Sequence, residues 1–269
     1  MPEGHIIHLL ARRYDDMFGG EPVAASSPQG KFSDGAALVD GQALEAAEAH
    51  GKHLFLGFGP IGWVRIHLGL YGKVSFAPLP VTPPIGQVRL RLAGRRGFAD
   101  LRGAAACELV TAEEKRAVQD RLGPDPLRRD ADPTAGLARV SRSRLPIAAL
   151  LMDQRIVSGV GNVYRAEVLF RHGVDPYTEG RGISPELWAA IWADLVDLMR
   201  VGAEAGRIDT VRPEHTPEAM GRAPRVDDHG GEVYVYRRAG LPCLVCGTDV
   251  RTAELVARNL FWCPSCQRP

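Results

Sequence analysis

Long apolar runs are missing from this 269-residue chain. It contains no stretch of about 18 uncharged apolar residues, which argues against a membrane-spanning helix. The N-terminal stretch, MPEGHIIHLLARRYDD, also lacks the basic start and the long apolar core of a secretion signal. We therefore expect a cytosolic protein that has no membrane partner.

Net charge is also nearly absent, because 33 Lys and Arg residues face 32 Asp and Glu residues, for a net charge of +1. This balance alone does not indicate a nucleic-acid partner. Segments 89–102 and 139–171 nevertheless each carry a local charge of +4, from five Arg against one acidic residue and six Arg against two. Such basic stripes fit a groove that binds a phosphate backbone, and they fit a solvated arginine-rich surface equally well.

Lysine is scarce, since the chain has only four: Lys31, Lys52, Lys73 and Lys115. Most of the basic residues are therefore arginines, whose planar guanidinium suits bidentate phosphate contacts. Any lysine with a chemical role must be one of these four.

The chain does have enough apolar sequence for a core, with 45% hydrophobic and 24% charged residues. Its length predicts two domains and leaves room for a small appendage. Helical spacing over residues 1–18 precedes a region, 21–112, in which short alternating runs are separated by Gly and Pro. That pattern predicts a leading helix and then a β-sandwich or barrel, with a polar linker over 113–135.

The helical signal returns near residue 141, so the fold class is multidomain α+β. One helix is predicted from Pro146 to about Arg155. A second begins at Asn162, whose side chain is expected to cap it, and a third runs from Pro185 to about Gly202. A polar segment, 203–231, and an apolar strand over 233–236 then lead to the C-terminal cysteines.

Five cysteines occur, and four of them form two CxxC pairs separated by 16 residues. This spacing is typical of a four-cysteine zinc site, in which one Zn²⁺ is structural because four thiolates leave no open position. The alternative is a pair of disulfides or reactive thiols. The predicted ligands are Cys243, Cys246, Cys263 and Cys266, whereas Cys107 is predicted to be a buried core residue.

Several motifs together resemble the formamidopyrimidine-DNA glycosylase / endonuclease VIII family, and they follow the family's order from the first residues to the last. They are MPEG at the start, GKHL at 51–54, HLGLYG at 67–72, LMDQ…SGVGNVYRAEVLF at 151–170, VYVYRRAGLPC at 233–243 and the terminal WCPSCQ. The resemblance implies an N-terminal β-sandwich domain over 1–120, a helix–two-turns–helix domain over 121–232 and a C-terminal zinc finger over 233–269. It also implies a bifunctional DNA glycosylase/AP lyase of the bacterial cytosol, working as a monomer on damaged double-stranded DNA.

Pro2 is the predicted nucleophile. Once Met1 is removed, its secondary amine can attack the sugar C1′ and form an iminium, and this acidifies C2′ so that the 3′ phosphate is eliminated. By resemblance Glu3 is the proton donor for base departure, although a charge at a helix N-terminus is the simpler alternative. Lys52 and Arg258 match the family residues for phosphate contact and elimination, with Ala257 standing where a glycine is usual. For Lys52 the alternative is a solvated loop lysine.

Contacts to DNA are carried over in the same way. Asn162 matches a phosphate contact, which is compatible with a helix cap. Arg121 matches a DNA contact of the endonuclease VIII branch, and an exposed Arg before a turn would look identical. Leu70 and Tyr71 resemble the contiguous wedge of that branch, which fills the gap left by the extruded nucleotide.

The lesion preference follows from a second loop. The formamidopyrimidine branch uses an additional Arg–Phe pair there, whereas this chain reads ADLRGAAACE and has no Phe after the Arg. We therefore expect oxidised pyrimidines as substrates and strand cutting by β,δ-elimination. The alternatives are an oxidised-purine glycosylase of the same family and a catalytically silent zinc-finger DNA-binding protein. A metal site at His5 and His8 is disfavoured, because no third ligand lies at suitable spacing.

Overall fold

A computed structural model describes residues 2–226 and 231–268 of the chain. It consists of two compact units, Met1–Arg121 and Leu122–Pro269. No helix in the described part combines the length and the apolarity that crossing a bilayer requires. Met1 and residues 227–230 of the predicted polar segment lie outside the described residues.

The first unit is a β-sandwich with a leading helix, as predicted. Its helices are α1 (Gly4–Phe18), α2 (Ser33–Val39) and α3 (Ala112–Gln119). Its strands are β1 (Ala24–Ser26), β2 (Ala46–His50), β3 (His53–Gly57), β4 (Trp63–His67), β5 (Lys73–Ala77), β6 (Val88–Gly94), β7 (Gly97–Arg102) and β8 (Ala106–Val110).

The strands form two antiparallel four-stranded sheets, in the orders β1-β6-β7-β5 and β2-β3-β4-β8. The apolar side chains of both sheets join those of α1 in one buried cluster. Cys107 on β8 belongs to this cluster, and burial raises the pKa of its thiol to about 12, as expected of an unreactive core residue. The predicted core role of Cys107 is therefore confirmed.

The connection between β5 and β6 runs back along the sheet that contains both strands. β5 and β6 both begin opposite Arg102 on β7, so residues 78–87 must return the length of the sheet between them. These residues are exposed and rich in proline. Two buried or half-buried guanidinium groups hold their backbone, since Arg91 donates to the Thr82 carbonyl at 2.6 Å and Arg102 to the Ile85 carbonyl at 2.9 Å.

In the first unit, two helices lie where the sequence predicted none. α2 spans only seven residues, too few to show helical periodicity. α3 lies in the expected linker, where Thr111 and Glu114 form a reciprocal capping box: Thr111 accepts from the Glu114 N–H at 3.1 Å, and Glu114 accepts from the Thr111 N–H at 2.8 Å. The predicted polar linker over 113–135 does contain the division between the two units, and it also contains most of α3 at its start and the first residues of a helix, Pro133–Val140, at its end.

The second unit is helical and ends in a hairpin. Its helices are α4 (Pro133–Val140), α5 (Ile147–Leu150), α6 (Asn162–Arg171), α7 (Pro185–Ala205) and α8 (Pro217–Met220), and its strands are β9 (Arg251–Leu255) and β10 (Arg258–Trp262). The predicted helices at 162 and 185 are confirmed. The helix predicted to run to Arg155 ends at Leu150 instead, and Asp153 then accepts hydrogen bonds from the Arg155 backbone and side chain.

Asn162 is not the cap of α6, contrary to prediction. Gly161 occupies the cap position, and Asn162 is the first helical residue. Its amide nitrogen donates to the Asn259 carbonyl at 2.9 Å. The side chain therefore connects the start of α6 to the hairpin rather than closing the helix.

The apolar run 233–236 does not form a strand, also contrary to prediction. The carboxylate of Glu167, fully buried on α6, accepts the backbone N–H groups of Tyr234, Val235 and Tyr236 at 2.7 to 2.9 Å. Backbone donors that a neighbouring strand would have satisfied are thus satisfied by one side chain.

Candidate active site and metal centre

The four cysteines of the CxxC pairs converge on one point. Their sulfur atoms all lie within 4.8 Å of one another, and the Cys243–Cys266 and Cys246–Cys263 separations are 3.9 and 3.5 Å. A tetrahedral ion bound at about 2.3 Å requires sulfur separations of about 3.8 Å, whereas a disulfide requires about 2.05 Å. The geometry fits one four-coordinate metal ion and not the disulfide alternative.

Backbone bonds shape the two cysteine turns. Gly247, with φ of +75°, donates to the Cys243 carbonyl at 3.0 Å, and Gln267 accepts the Cys263 N–H at 2.9 Å. The Thr248 and Ser265 hydroxyls lie 2.8 Å apart and connect the turns. In the described part of the chain no other group of three or more His, Cys, Asp or Glu residues is placed to hold a metal.

Arg258 lies beside the tip of the hairpin that the metal centre supports. β9 and β10 pair from Leu255 and Arg258 outward, so Val256 and Ala257 form a two-residue turn. Both have left-handed backbone conformations, with φ of +51° and +53°. The turn projects the exposed Arg258 side chain from the end of β10.

A hydrogen-bonded node connects this hairpin to the start of α6. The Asn259 carbonyl accepts from the Asn162 amide at 2.9 Å and from the Arg165 guanidinium at 3.0 Å. Arg165, which is fully buried, also donates to the Asn162 side-chain oxygen. Two predicted DNA-binding residues, Asn162 and Arg258, are thereby held at one place in the second unit.

The glycine loop before α6 is held by Gln154. Its amide oxygen accepts the Gly159 N–H at 2.9 Å, and its amide nitrogen donates to the Val160 carbonyl at 2.9 Å. Gly159 has φ of +88°, a conformation that favours glycine. The loop thus presents the N-terminus of α6, where backbone N–H groups favour an anion.

In the first unit, Pro2 and Glu3 immediately precede α1. Pro2 is partly exposed, and Glu3 is 1% exposed with an extended backbone. Helix α1 packs against β2 and β3, the two strands that the Lys52 turn joins. A buried carboxylate beside a partly exposed residue 2 is the arrangement that a proton donor next to an N-terminal amine needs.

Lys52 occupies the second position of a two-residue hairpin turn, after Gly51 with φ of +58°. Its side chain is partly exposed. Three histidines lie directly across from one another beside this turn, His50 on β2, His53 on β3 and His67 on β4. Burial, together with the charges of His67 and Arg65, lowers the pKa of His53 to about 3, and burial and Lys52 lower that of His67.

Leu70 and Tyr71 project from the turn between β4 and β5, where they are 50% and 85% exposed. The Gly72 N–H closes the turn on the Leu68 carbonyl at 3.0 Å. Gly69 has φ of +68°, and a β-carbon there would lie 2.8 Å from that of Ala105. A side chain at position 69 would therefore be crowded as well as strained.

The connection between β7 and β8 is only three residues long, 103–105. Its residues are one glycine and two alanines, so this connection itself holds no Arg–Phe pair. Arg121 is exposed and follows α3 at the end of the first unit. Sequence reasoning did not single out Gln154, Arg165, Glu167 or the histidine row, because nothing in a sequence shows which polar residues are buried together.

A β-sandwich that carries a buried Glu3, together with a helical unit that ends in a four-cysteine hairpin, defines a class of zinc-finger DNA glycosylases. Three family models match the chain in order. They are the Formamidopyrimidine-DNA glycosylase N-terminal domain over residues 1–107, the Formamidopyrimidine-DNA glycosylase H2TH domain over 122–212, and the zinc finger found in FPG and IleRS over 240–269. The chain belongs to the formamidopyrimidine-DNA glycosylase family.

Relatives agree with this assignment. Endonuclease 8 1 of Mycobacterium tuberculosis is 50% identical over 276 residues, which cover 99% of this chain and 100% of the relative. Formamidopyrimidine-DNA glycosylase of Chloroflexus aggregans is 33% identical over 236 residues, 86% of this chain and 83% of that one. A solved structure of MutM in complex with carbocyclic 8-oxo-G containing DNA has the same fold, with a TM-score of 0.79 at 19% identity and full coverage of both chains.

The chain is thus a DNA glycosylase with AP lyase activity that acts in base excision repair. It binds DNA, and its four cysteines form the site of one structural Zn²⁺. When bound, the zinc ion supplies folding free energy to the hairpin and takes no part in the reaction, since all four positions are filled by thiolates.

Proposed function

We propose that this chain excises oxidised pyrimidines from double-stranded DNA, as an enzyme of the endonuclease VIII type. The main observation behind this proposal is the exposed Leu70–Tyr71 turn, together with the three-residue connection between β7 and β8. A contiguous apolar pair can fill the space of an extruded nucleotide. The full-length similarity to a protein named Endonuclease 8 1 supports the same preference.

The first chemical step is assigned to Pro2 and Glu3. After removal of Met1, the Pro2 amine attacks C1′ and the C1′–base bond breaks, and then the C1′–O4′ bond opens. The base and the ring oxygen each take up a proton: one comes from the Glu3 carboxyl and the other is the proton that the amine loses as the iminium forms. An α-amino group has a pKa near 8, so a useful fraction is the neutral nucleophile at physiological pH. The product is an iminium between Pro2 and the sugar.

Elimination follows from that iminium. Loss of a C2′ proton expels the 3′ phosphate, and a second elimination expels the 5′ phosphate, after which water releases the sugar fragment from Pro2. Lys52, partly exposed at its turn, is assigned to phosphate contact and proton transfer in the first elimination. Arg258 is assigned to phosphate binding and the second elimination, and Asn162 and Arg121 to further DNA contacts.

The proposal extends to organisation. We assign residues 1–120 to a catalytic domain, 121–232 to a DNA-binding domain and 233–269 to the zinc finger. The protein is expected to act as a monomer in the bacterial cytosol, on damaged double-stranded DNA and without a membrane partner.

Borohydride trapping tests the proposal. Duplexes carrying a single thymine glycol, 5-hydroxyuracil, 8-oxoguanine or formamidopyrimidine are incubated with the enzyme and borohydride, and the adduct is mapped by mass spectrometry. We expect efficient trapping with the two pyrimidine lesions and an adduct on Pro2. Preferential trapping with the two purine lesions would favour the oxidised-purine alternative, and no trapping with any damaged duplex would favour the silent DNA-binding protein.

Two variants test the nucleophile. Pro2→Gly keeps a primary amine and should trap more weakly, whereas an N-terminal extension that keeps residue 2 in a peptide bond should abolish trapping. An adduct on Lys52, or trapping by the extended variant, would contradict the assignment even if base excision persisted.

A further inference from the structure

Arg165 is completely buried in the second unit, including its charged guanidinium group. Removing an arginine from water carries a large desolvation cost, so a buried one must make specific hydrogen bonds. Its contacts include the Asn162 side-chain oxygen, the Asn259 carbonyl at 3.0 Å and the Ala148 carbonyl at 3.4 Å. It thus bonds both to α6 and to the hairpin strand that carries Arg258.

The hydrogen bond from Arg165 determines which way the side-chain amide of Asn162 faces. Arginine is a donor only, so it fixes the Asn162 oxygen toward itself and the nitrogen away from itself. The nitrogen carries two N–H groups, and one of them donates to the Asn259 carbonyl at 2.9 Å. An amide turned the other way would present an oxygen, which repels a phosphate.

We propose that Arg165 is a positioning residue for DNA binding, which fixes the Asn162 amide so that an N–H faces a backbone phosphate. This inference rests on the proposed role of Asn162. The same guanidinium bonds to Asn259, the neighbour of Arg258, so it also sets the distance between the Asn162 donor and the hairpin. Arg165 touches no phosphate itself, and its effect passes through the two asparagines.

The test uses duplexes with an abasic-site analogue in which single phosphates near the lesion are replaced, one at a time, by neutral methylphosphonates. At the phosphate that Asn162 contacts, the replacement should weaken wild-type binding by about tenfold, since hydrogen bonds to charged groups are the strong ones. In Asn162→Ala the same replacement should weaken binding by no more than about twofold.

Arg165→Met should behave like Asn162→Ala at that phosphate and keep the wild-type penalties at phosphates that neither Asn162 nor Arg258 contacts. Arg165→Lys keeps a donor for the Asn162 oxygen and should restore the penalty. A matched control is Arg171→Met, which removes another arginine of α6, one paired with Asp194 at 2.7 Å. That control should lower stability and leave the phosphate penalty unchanged.

Asn162→Asp covers the case in which Arg165→Met does not fold. The carboxylate keeps a partner for Arg165 but loses the bond that the amide donates to Asn259, so folding is checked by the melting temperature. The phosphate-facing donor is lost as well, and binding should weaken by at least tenfold.

The inference is overturned if Arg165→Met, or Asn162→Asp, keeps the full methylphosphonate penalty. It also fails if Asn162→Ala shows no phosphate-specific loss. Failure of the proposed function looks different, because the wild-type enzyme would then trap no damaged duplex at all.

Discussion

Single buried side chains set much of the chemistry of the first unit. His5 on α1 and His53 on β3 both have pKa values lowered to about 3, chiefly by burial and next by a neighbouring histidine, His8 or His67. Both are therefore neutral at physiological pH. Neutral histidines close in sequence to Glu3 and Lys52 add no positive charge beside the residues to which the proposed iminium chemistry is assigned.

These histidines predict a loss of stability in acid. An unfolded histidine takes up its proton near pH 6.5 and folded His53 only near pH 3, so acidification between these values favours unfolding. Each such group contributes at most about 1.4 kcal/mol per pH unit in that window. We expect the melting temperature of wild type to fall more steeply from pH 7 to pH 4 than that of His53→Gln.

The comparison contains its own control. At pH 8 the histidine is neutral in both states, so the difference between His53→Gln and wild type reports packing alone. A difference that stays constant down to pH 4 would contradict the assigned neutral histidine.

Glu3→Gln separates the two chemical steps. Departure of the base requires a proton, whereas a preformed abasic site has no base to expel, so base excision should slow by at least 100-fold and cutting at the abasic site much less. Single-turnover rates on a thymine glycol duplex and on an abasic duplex measure the two steps. Equal slowing of both would remove Glu3 from the glycosidic step.

At the scale of elements, the hairpin tip is under conformational strain. Val256 and Ala257 both have positive φ, which a β-branched residue rarely adopts and which glycine adopts without cost. Two-residue turns with two positive φ values usually contain Asn and Gly. The zinc centre and the β9–β10 ladder therefore hold a turn that its own sequence does not favour.

Ala257→Gly should relieve part of that strain. We expect a gain of about 1 kcal/mol in stability, seen as slower zinc release to a chelator. Ala253→Gly is the matched control, since the same substitution within β9 lacks any strain to relieve and should cost about 0.5 to 1 kcal/mol. Destabilisation of the same size in both variants would show that the turn is not strained.

The segment 234–236 is a place where the sequence pattern predicted the wrong secondary structure. Alternating Val and Tyr predict a strand, and the pattern says nothing about a carboxylate some 70 positions earlier that accepts all three N–H groups. Glu167→Gln should therefore destabilise the protein by about 3 kcal/mol, because an amide cannot accept all of these bonds. Glu204→Gln, exposed on α7, is the control in urea denaturation and should change stability by less than about 0.5 kcal/mol.

Local signals did predict much else. The turn glycines and alternating runs predicted most strands of the sandwich, and Asn162 and Pro185 marked the starts of α6 and α7 correctly. The CxxC spacing predicted the metal centre, because ligand spacing is a local property. Partnerships such as those of Glu167, Arg165 and the histidine row depend on the folded chain, and no local pattern encodes them.

On the scale of the whole molecule, the two compact units meet in sequence at Arg121 and Leu122, and the cysteine centre belongs to the second. The hairpin shares one hydrophobic cluster with the helices of that unit. Loss of metal should therefore affect the second unit and leave the β-sandwich folded.

Cys263→Ser tests this. We expect one zinc ion per chain in wild type, less than that in the variant, and DNA binding reduced by at least 100-fold, while hydrogen exchange in the β-sandwich stays unchanged. Elemental analysis of wild-type protein without zinc would contradict the assignment, as would a variant that loses zinc and binds DNA normally.

The exposed return connection over residues 78–87 makes the chain suited to fragment complementation. A break between Pro83 and Pro84 would place β1 and β5 in one fragment and β6 and β7 in the other, and it would separate β2, β3 and β4 from β8. Neither fragment could complete either sheet alone. The two halves would thus have to associate before the sandwich exists, and recovered DNA cutting would report directly on their meeting.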